Sequence, residues 1–258
     1  MFDVGRGLAA AIREVWKVRI EGFIRIQVFR RIMVETEVKR GSKNLGFGRD
    51  HHFLHTMTLL TVDECRRLLS RYNEALTSRI DGHRSKNGAK DLLELDSWRL
   101  NDLSKVVREQ KSSSFMTKEQ LEKLMDCKLY HPSPFFHTEL RSRGKFRPRL
   151  KQLISSNSTT DVKSRTEKAF SELGNKTTIS SILAAVKTLS ELKGVGPATA
   201  TMVLQAKSDD IPFMSDEAML QVFNGDKTKL KYDLKTCKTF IEKVYEVAKD
   251  LDKGNSIS

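Results

Sequence analysis

Cysteine is scarce. Three residues, Cys65, Cys127 and Cys237, are spread along the chain with no paired spacing. That pattern gives neither a zinc site, nor an iron-sulfur cluster, nor a disulfide framework, so reduced structural thiols are the expectation. The histidines His51, His52, His55, His131 and His137 form no metal spacing either and read as surface or loop residues. A protein with no metal and no other cofactor is expected. Arg or Lys interrupts every hydrophobic run well before the roughly 20 residues that a membrane-spanning helix needs, so no membrane role is expected. The opening MFDVGRGLAAAIREVW carries the arginines of a mitochondrial presequence, but Asp3 and Glu14 are atypical of one and no secretory apolar core follows. Nucleus or cytoplasm is the expected location, with the mitochondrion as the third option. Internal repeats and long low-complexity runs are also missing, which excludes a solenoid or array.

What the chain has is positive charge. A net +13 over 258 residues raises the local concentration of a polyanion and speeds encounter with it. Nucleic acid is the default partner, with acidic lipid or acidic protein as alternatives. The 38% of hydrophobic residues suits a packed core, in one large domain or two small ones.

Residues 1–58 differ in texture from the rest. Ile20, Ile24, Ile26 and Val28 alternate with Glu21, Arg25 and Gln27, a strand-like period of two, and a Gly-rich basic tract follows. These residues read as a separate or poorly ordered extension. From Thr61 the pattern turns helical, and residues 59–252 are expected to form an all-α domain with a short tail, 253–258. Capping-box spacings at Thr61–Glu64 and Thr117–Gln120 open helices over Val62 to Ile80 and onward through Leu121, Leu124, Met125 and Leu129. Further helices are predicted at Trp98 to Arg108, through Leu150, Leu153 and Ile154, at Asp161 to Leu173, Ile179 to Leu192, Pro197 to Ala206, Asp216 to Phe223 and Leu234 to Leu251. The segment 130–142, with two prolines and no helical pattern, looks inserted.

Beyond it, Arg141, Arg143, Lys145, Arg147, Arg149 and Lys151 occupy every second position. They would share one face of an extended stretch, although Pro148 suits the start of a helix. The cluster is either a phosphate-contacting patch or an ordinary solvated basic face.

The sharpest signal is LSELKGVGPATATMVLQA, in which one helix ends at a Gly-Val-Gly turn and the next begins at Pro197. Gly194 and Gly196 allow backbone amides to approach an outside group, Val195 can pin the turn onto the core, and Pro197 fits a first helical position. A row of amides through Lys193, Ala198 and Thr199, joined to a helix N-terminus, attracts phosphate without reading base identity. The bland reading is a tight interhelical turn.

LKGVGPATATMVL followed by IPFMSDEAMLQV resembles the helix-hairpin-helix and Gly/Pro-Asp signature of the DNA glycosylase superfamily that includes endonuclease III and bacterial alkyladenine glycosylases. KFRPRL and LLELDSWRL are similar to uncharacterised eukaryotic relatives, from which no activity carries over. The resemblance spans about residues 180–225. It implies an all-α glycosylase-like fold, DNA as partner, and Asp216 as catalytic carboxylate at the start of the helix after the loop that contains Pro212. Two departures narrow it. Lyase-competent members carry a Schiff-base Lys where this chain has Ala198, and the iron-sulfur cysteines are absent. The implied enzyme is monofunctional and metal-free. Its target base would be flipped from the duplex, and ionised Asp216 would stabilise cationic character at the anomeric carbon. Glu217 is adjacent but points roughly 100° away on a helix. Against this, Ser215, Asp216 and Glu217 are also an ordinary capped helix start. Trp98, Phe146 and Phe213 are pocket or wedge aromatics if they are not core. A non-catalytic DNA-binding module and a protein-interaction domain are the competing readings.

Overall fold

The computed structural model describes residues 93–110, 113–130, 149–174 and 177–254, and among these every regular element is helical, with no strand. The expectations for residues 1–58, for the helix over Val62 to Ile80, for the inserted segment beyond Tyr130, and for Cys65 and the histidines lie outside the described residues. The chain divides into two compact units, one of residues 87–208 and one to which residues 209–258 belong.

In residues 87–208, α1 begins with helical residues 93–97, passes through a π-helical stretch, Trp98–Leu103, and ends with Ser104–Arg108. Leu103 and Val107, four positions apart, are buried on one face. α2, Lys118–Tyr130, starts at the expected capping box. Thr117 Oγ1 accepts the Gln120 N–H at 3.2 Å, and Gln120 Oε1 accepts the Thr117 N–H at 2.9 Å. Leu121, Leu124 and Met125 are its core residues. α3, Leu150–Ser155, is short and buries Ile154. α4, Thr159–Leu173, is capped by Ser158, whose hydroxyl accepts the Asp161 N–H at 3.0 Å. α5, Ile179–Leu189, opens at a reciprocal cap between Thr178 and Ser181. It stops before Leu192, whose buried side chain extends the apolar face within a turn instead of a helix.

α4 and α5 form the most extensive pairing, followed by α2 with α3 and α5 with α6, Pro197–Gln205. From Ala198 to Gln205 every residue of α6 is buried, the mark of a helix enclosed on all sides. The buried threonines of this interior are paired. Thr166 Oγ1 accepts the Met116 N–H at 3.0 Å and donates to the Val162 carbonyl at 2.8 Å, while Thr188 donates to the Glu172 carboxylate at 2.8 Å. Arg108 donates to the carbonyls of Gln205 and Ala206, each at 3.2 Å, and so covers the C-terminal end of α6.

Among residues 209–254, α7, Asp216–Val222, is followed by a 3-10 turn, Lys227–Lys229, and by α8, Leu234–Gly254, which packs on α7. Asn224 and Gly225, both at positive φ, reverse the chain after α7. α8 is amphipathic: Cys237, Phe240, Ile241, Val244 and Ala248 are buried, whereas Lys235, Lys238 and Lys243 are exposed. Among the described residues no helix is long and apolar enough to cross a membrane, and no group of three or more His, Cys, Asp or Glu could hold a metal ion.

Cys127 and Cys237 are free, buried thiols. Burial, with a smaller contribution from the Asp233 carboxylate, pushes the Cys237 thiol from its ordinary value of 9.0 up to about 12. An exposed thiol in the unfolded chain ionises near 8.5. The folded state therefore keeps a proton that the unfolded state releases, and stability should fall as pH climbs from about 9 towards about 12. At pH 9, iodoacetamide should leave Cys237 unmodified until urea unfolds the chain. Mass spectrometry showing native alkylation at this residue would contradict the burial.

Candidate nucleic-acid interface

One side chain holds the turn between α5 and α6. Asn157, in the bend between α3 and α4, is 5% exposed. Its Oδ1 accepts the Lys193 N–H at 2.9 Å, and its Nδ2 donates to the Lys193 carbonyl at 2.9 Å. The same Nδ2 also reaches the carbonyls of Ile154 at 2.9 Å and Leu153 at 3.3 Å. Both backbone groups of Lys193 are thereby tied to the end of α3, leaving the Lys193 side chain exposed.

The two glycines that follow serve different purposes. Gly194 sits at φ +79°, and a Cβ there would stand 3.1 Å from Leu153 Cβ and 3.2 Å from Ile154 Cγ1. Both the left-handed backbone and the close approach to α3 require glycine. Val195 is buried beside it, and its N–H donates to the Leu192 carbonyl at 3.1 Å. Gly196 has an ordinary extended backbone, φ −102° and ψ 179°, and a Cβ there would meet nothing within 4 Å. Nothing within the described chain requires that residue to be glycine, and the backbone it leaves bare faces open space.

Pro197 is the first residue of α6, and the Gly196 carbonyl accepts the Ala200 N–H at 2.8 Å. Among the described residues, no backbone acceptor meets the N–H groups of Gly196, Ala198 or Thr199, as a helix start leaves them. Lys128 of α2 donates to Thr199 Oγ1 at 2.7 Å, which sets an ammonium beside the first turn of α6. The turn therefore has a half-buried Gly196, followed by the buried Ala198 and Thr199, with the Lys128 ammonium beside the latter.

Of the six alternating basic residues, Arg141, Arg143, Lys145 and Arg147 lie outside the described residues. Arg149 is exposed immediately before α3, and Lys151 is exposed on it. Lys151 pairs with Asp126 of α2 at 2.6 Å, and that hydrogen bond raises its pKa above the ordinary lysine value. α3 is also the helix against which Gly194 rests, through Leu153 and Ile154.

Asp216 belongs to the other unit. Ser215 caps α7 there: its Oγ accepts the Ala218 N–H at 3.1 Å and its carbonyl accepts the Met219 N–H at 2.9 Å. Asp216, next in the chain, is half-buried, and its Oδ1 accepts a hydrogen bond from the Tyr232 hydroxyl. Met219, Leu220 and Val222 form the buried side of the helix behind it. Phe213 is half-buried just upstream, and Trp98 is half-buried under the Lys123 ammonium, 4.3 Å from its ring centroid. Phe146 lies outside the described residues.

Sequence reasoning missed Asn157, Lys128 and Tyr232. Asn157 carried a weak signal, as a turn-forming residue between a helix end and the Ser158 cap. Lys128 and Tyr232 carried none, since each acts 16 or more positions away in sequence, on Thr199 and on Asp216.

The contrast between the glycines is testable by unfolding of the full chain. Gly194→Ala should cost about 1–3 kcal/mol, from left-handed strain and from contact with Leu153 and Ile154. Asn157→Ala should cost about as much by stranding the Lys193 backbone. Gly196→Ala should cost under about 1 kcal/mol. Equal losses at both glycines would remove the distinction.

Comparison with known proteins places the chain in no family: no family model matches it, no curated protein matches it, and no solved structure matches its fold.

Proposed function

We propose that the chain binds the sugar-phosphate backbone of DNA through a helix-hairpin-helix element made of α5, the Gly-Val-Gly turn and α6, and that it is a monofunctional DNA glycosylase. The observation that carries the binding reading is the bare backbone at Gly196, open to its surroundings at the start of α6. A phosphate oxygen can approach such a backbone closely, accept its amides and gain from the helix dipole. Lys128 strengthens the case. An ammonium beside a helix N-terminus opposes the dipole, and a bound anion is favoured by both. The exposed Lys193, Arg149 and Lys151 add positive charge to the same unit. The Lys151–Asp126 pair is exposed on both sides, so it contributes little to the fold and is exchangeable for a phosphate.

The glycosylase reading rests on Asp216 and on the residue at position 198. The ionised carboxylate would stabilise positive charge developing at the anomeric carbon of a flipped nucleotide, worth about 3–4 kcal/mol, and orient a water. Water adds to that carbon as the glycosidic bond breaks, and its proton leaves with the base. Ala198 supplies no amine, so the sugar is not captured as a Schiff base and the strand stays intact. A non-catalytic DNA binder is the second reading. The Ser215 cap favours it, since Asp216 then has the position of an ordinary helix-start acid.

If about four phosphates are neutralised, the slope of log affinity against log salt should lie near −3 to −4, with little sequence preference. A slope near zero would sink the nucleic-acid reading in favour of a protein interface. Gly196→Val should weaken binding while leaving helical content unchanged by circular dichroism.

Asp216→Asn should lower base excision on the order of a hundredfold, with DNA affinity unchanged or slightly improved by loss of a negative charge. Glu217→Gln is the neighbouring control. The product should be an intact abasic strand, cleaved only by alkali, and borohydride should trap no covalent complex. A trapped adduct would identify another amine, such as Lys193 or Lys207, as nucleophile. Excision by Asp216→Asn at the parental rate would remove Asp216 from the chemistry, and excision of no base by the parent would leave the non-catalytic reading.

A further inference from the structure

We infer that Tyr232 is the positioning residue for Asp216, a role that rests on the glycosylase reading. The two side chains come from opposite ends of a chain reversal, each fixed by its own anchor. Ser215 caps α7 and sets the backbone of Asp216. Tyr232 stands between buried Leu230 and Asp233, which caps α8: its Oδ1 accepts the Thr236 N–H at 2.7 Å and its carbonyl the Cys237 N–H at 3.0 Å. With α7 and α8 packed together, the phenol and the carboxylate meet at a defined place, and the phenol donates to Oδ1.

That bond does two things for a carboxylate that must act as an anion. A donor to the charged oxygen favours the ionised form. It also fixes the rotation of the carboxyl plane, so that field and water orientation need not be rebuilt in each turnover. Tyr232 touches neither the sugar nor the base in this scheme and acts through Asp216 alone.

The test uses the full chain and duplexes carrying alkylated, deaminated and oxidised bases. Tyr232→Phe should lower kcat on the best duplex by roughly tenfold, as loss of a hydrogen bond to a charged group implies, with Kd for that duplex unchanged. In an Asp216→Asn background the same change should have no further effect. Parental kcat in Tyr232→Phe, or an equal loss in both backgrounds, would overturn the inference and leave the glycosylase reading standing. Parental excision by Asp216→Asn would overturn the inference together with the role of Asp216, and excision of no base on any duplex would overturn the glycosylase reading as well. A readout free of activity follows the contact itself. Beside an ionised carboxylate a phenol gives up its proton less readily, so the 13C-labelled Tyr232 ring should titrate at higher pH in the parent than in Asp216→Asn. Identical titration curves would mean that the bond does not form, and the inference would fall on that ground alone.

Discussion

The candidate interface depends on Asn157, whose buried carboxamide makes four hydrogen bonds to three backbone positions. Two of them meet the N–H and C=O of one residue, Lys193, as a neighbouring strand would, in a fold whose described residues contain no strand. A turn with no periodic partner otherwise has no means of satisfying its backbone inside a helical protein. With Lys193 held, Gly194 must lie against Leu153 and Ile154 and Val195 turns inward. Gly196 is then directed away from α3, where a Cβ finds nothing within reach. The open space beside the second glycine accompanies the confinement of the first.

This arrangement divides stability from recognition. Buried, paired groups hold the scaffold: Asn157 ties the turn, while Thr166 and Thr188 satisfy partners elsewhere in the core. Groups suited to an anion contribute little to the fold, because Lys193, Arg149 and Lys151 are exposed and the ion pair of Lys151 is screened by solvent. Substitution of the first set should act through unfolding, and substitution of the second through binding. Lys193, Arg149 and Lys151 can therefore change without loss of the scaffold.

Helix positions were legible because periodicity and capping are local. Thr117 with Gln120, Pro197 at the start of α6 and Ser215 before α7 each write their bond within three or four residues. The end of α5 was misjudged because Leu192 belongs to the same buried face as Leu189, and apolar spacing does not separate a last helical turn from a tight turn that continues it. The unequal glycines were not legible either. Gly194 and Gly196 look alike in sequence, and only the position of α3, fixed by a contact 36 residues away through Asn157, tells them apart. Tyr232 was hidden for the same reason: a phenol 16 positions from a carboxylate has no local grammar.

Position 198 constrains the proposed chemistry more than its identity suggests. The Ala198 side chain is 6% exposed, on a helix buried along its length. A lysine introduced there would have to bury or thread four methylenes through a packed interior before its amine met solvent, at a cost in overpacking of about 1–3 kcal/mol. The alanine is thus matched to its surroundings, and placing an amine there would take more than one substitution. In the proposed reaction Asp216 would have to orient water and stay ionised, a state that the hydrogen bond from Tyr232 favours.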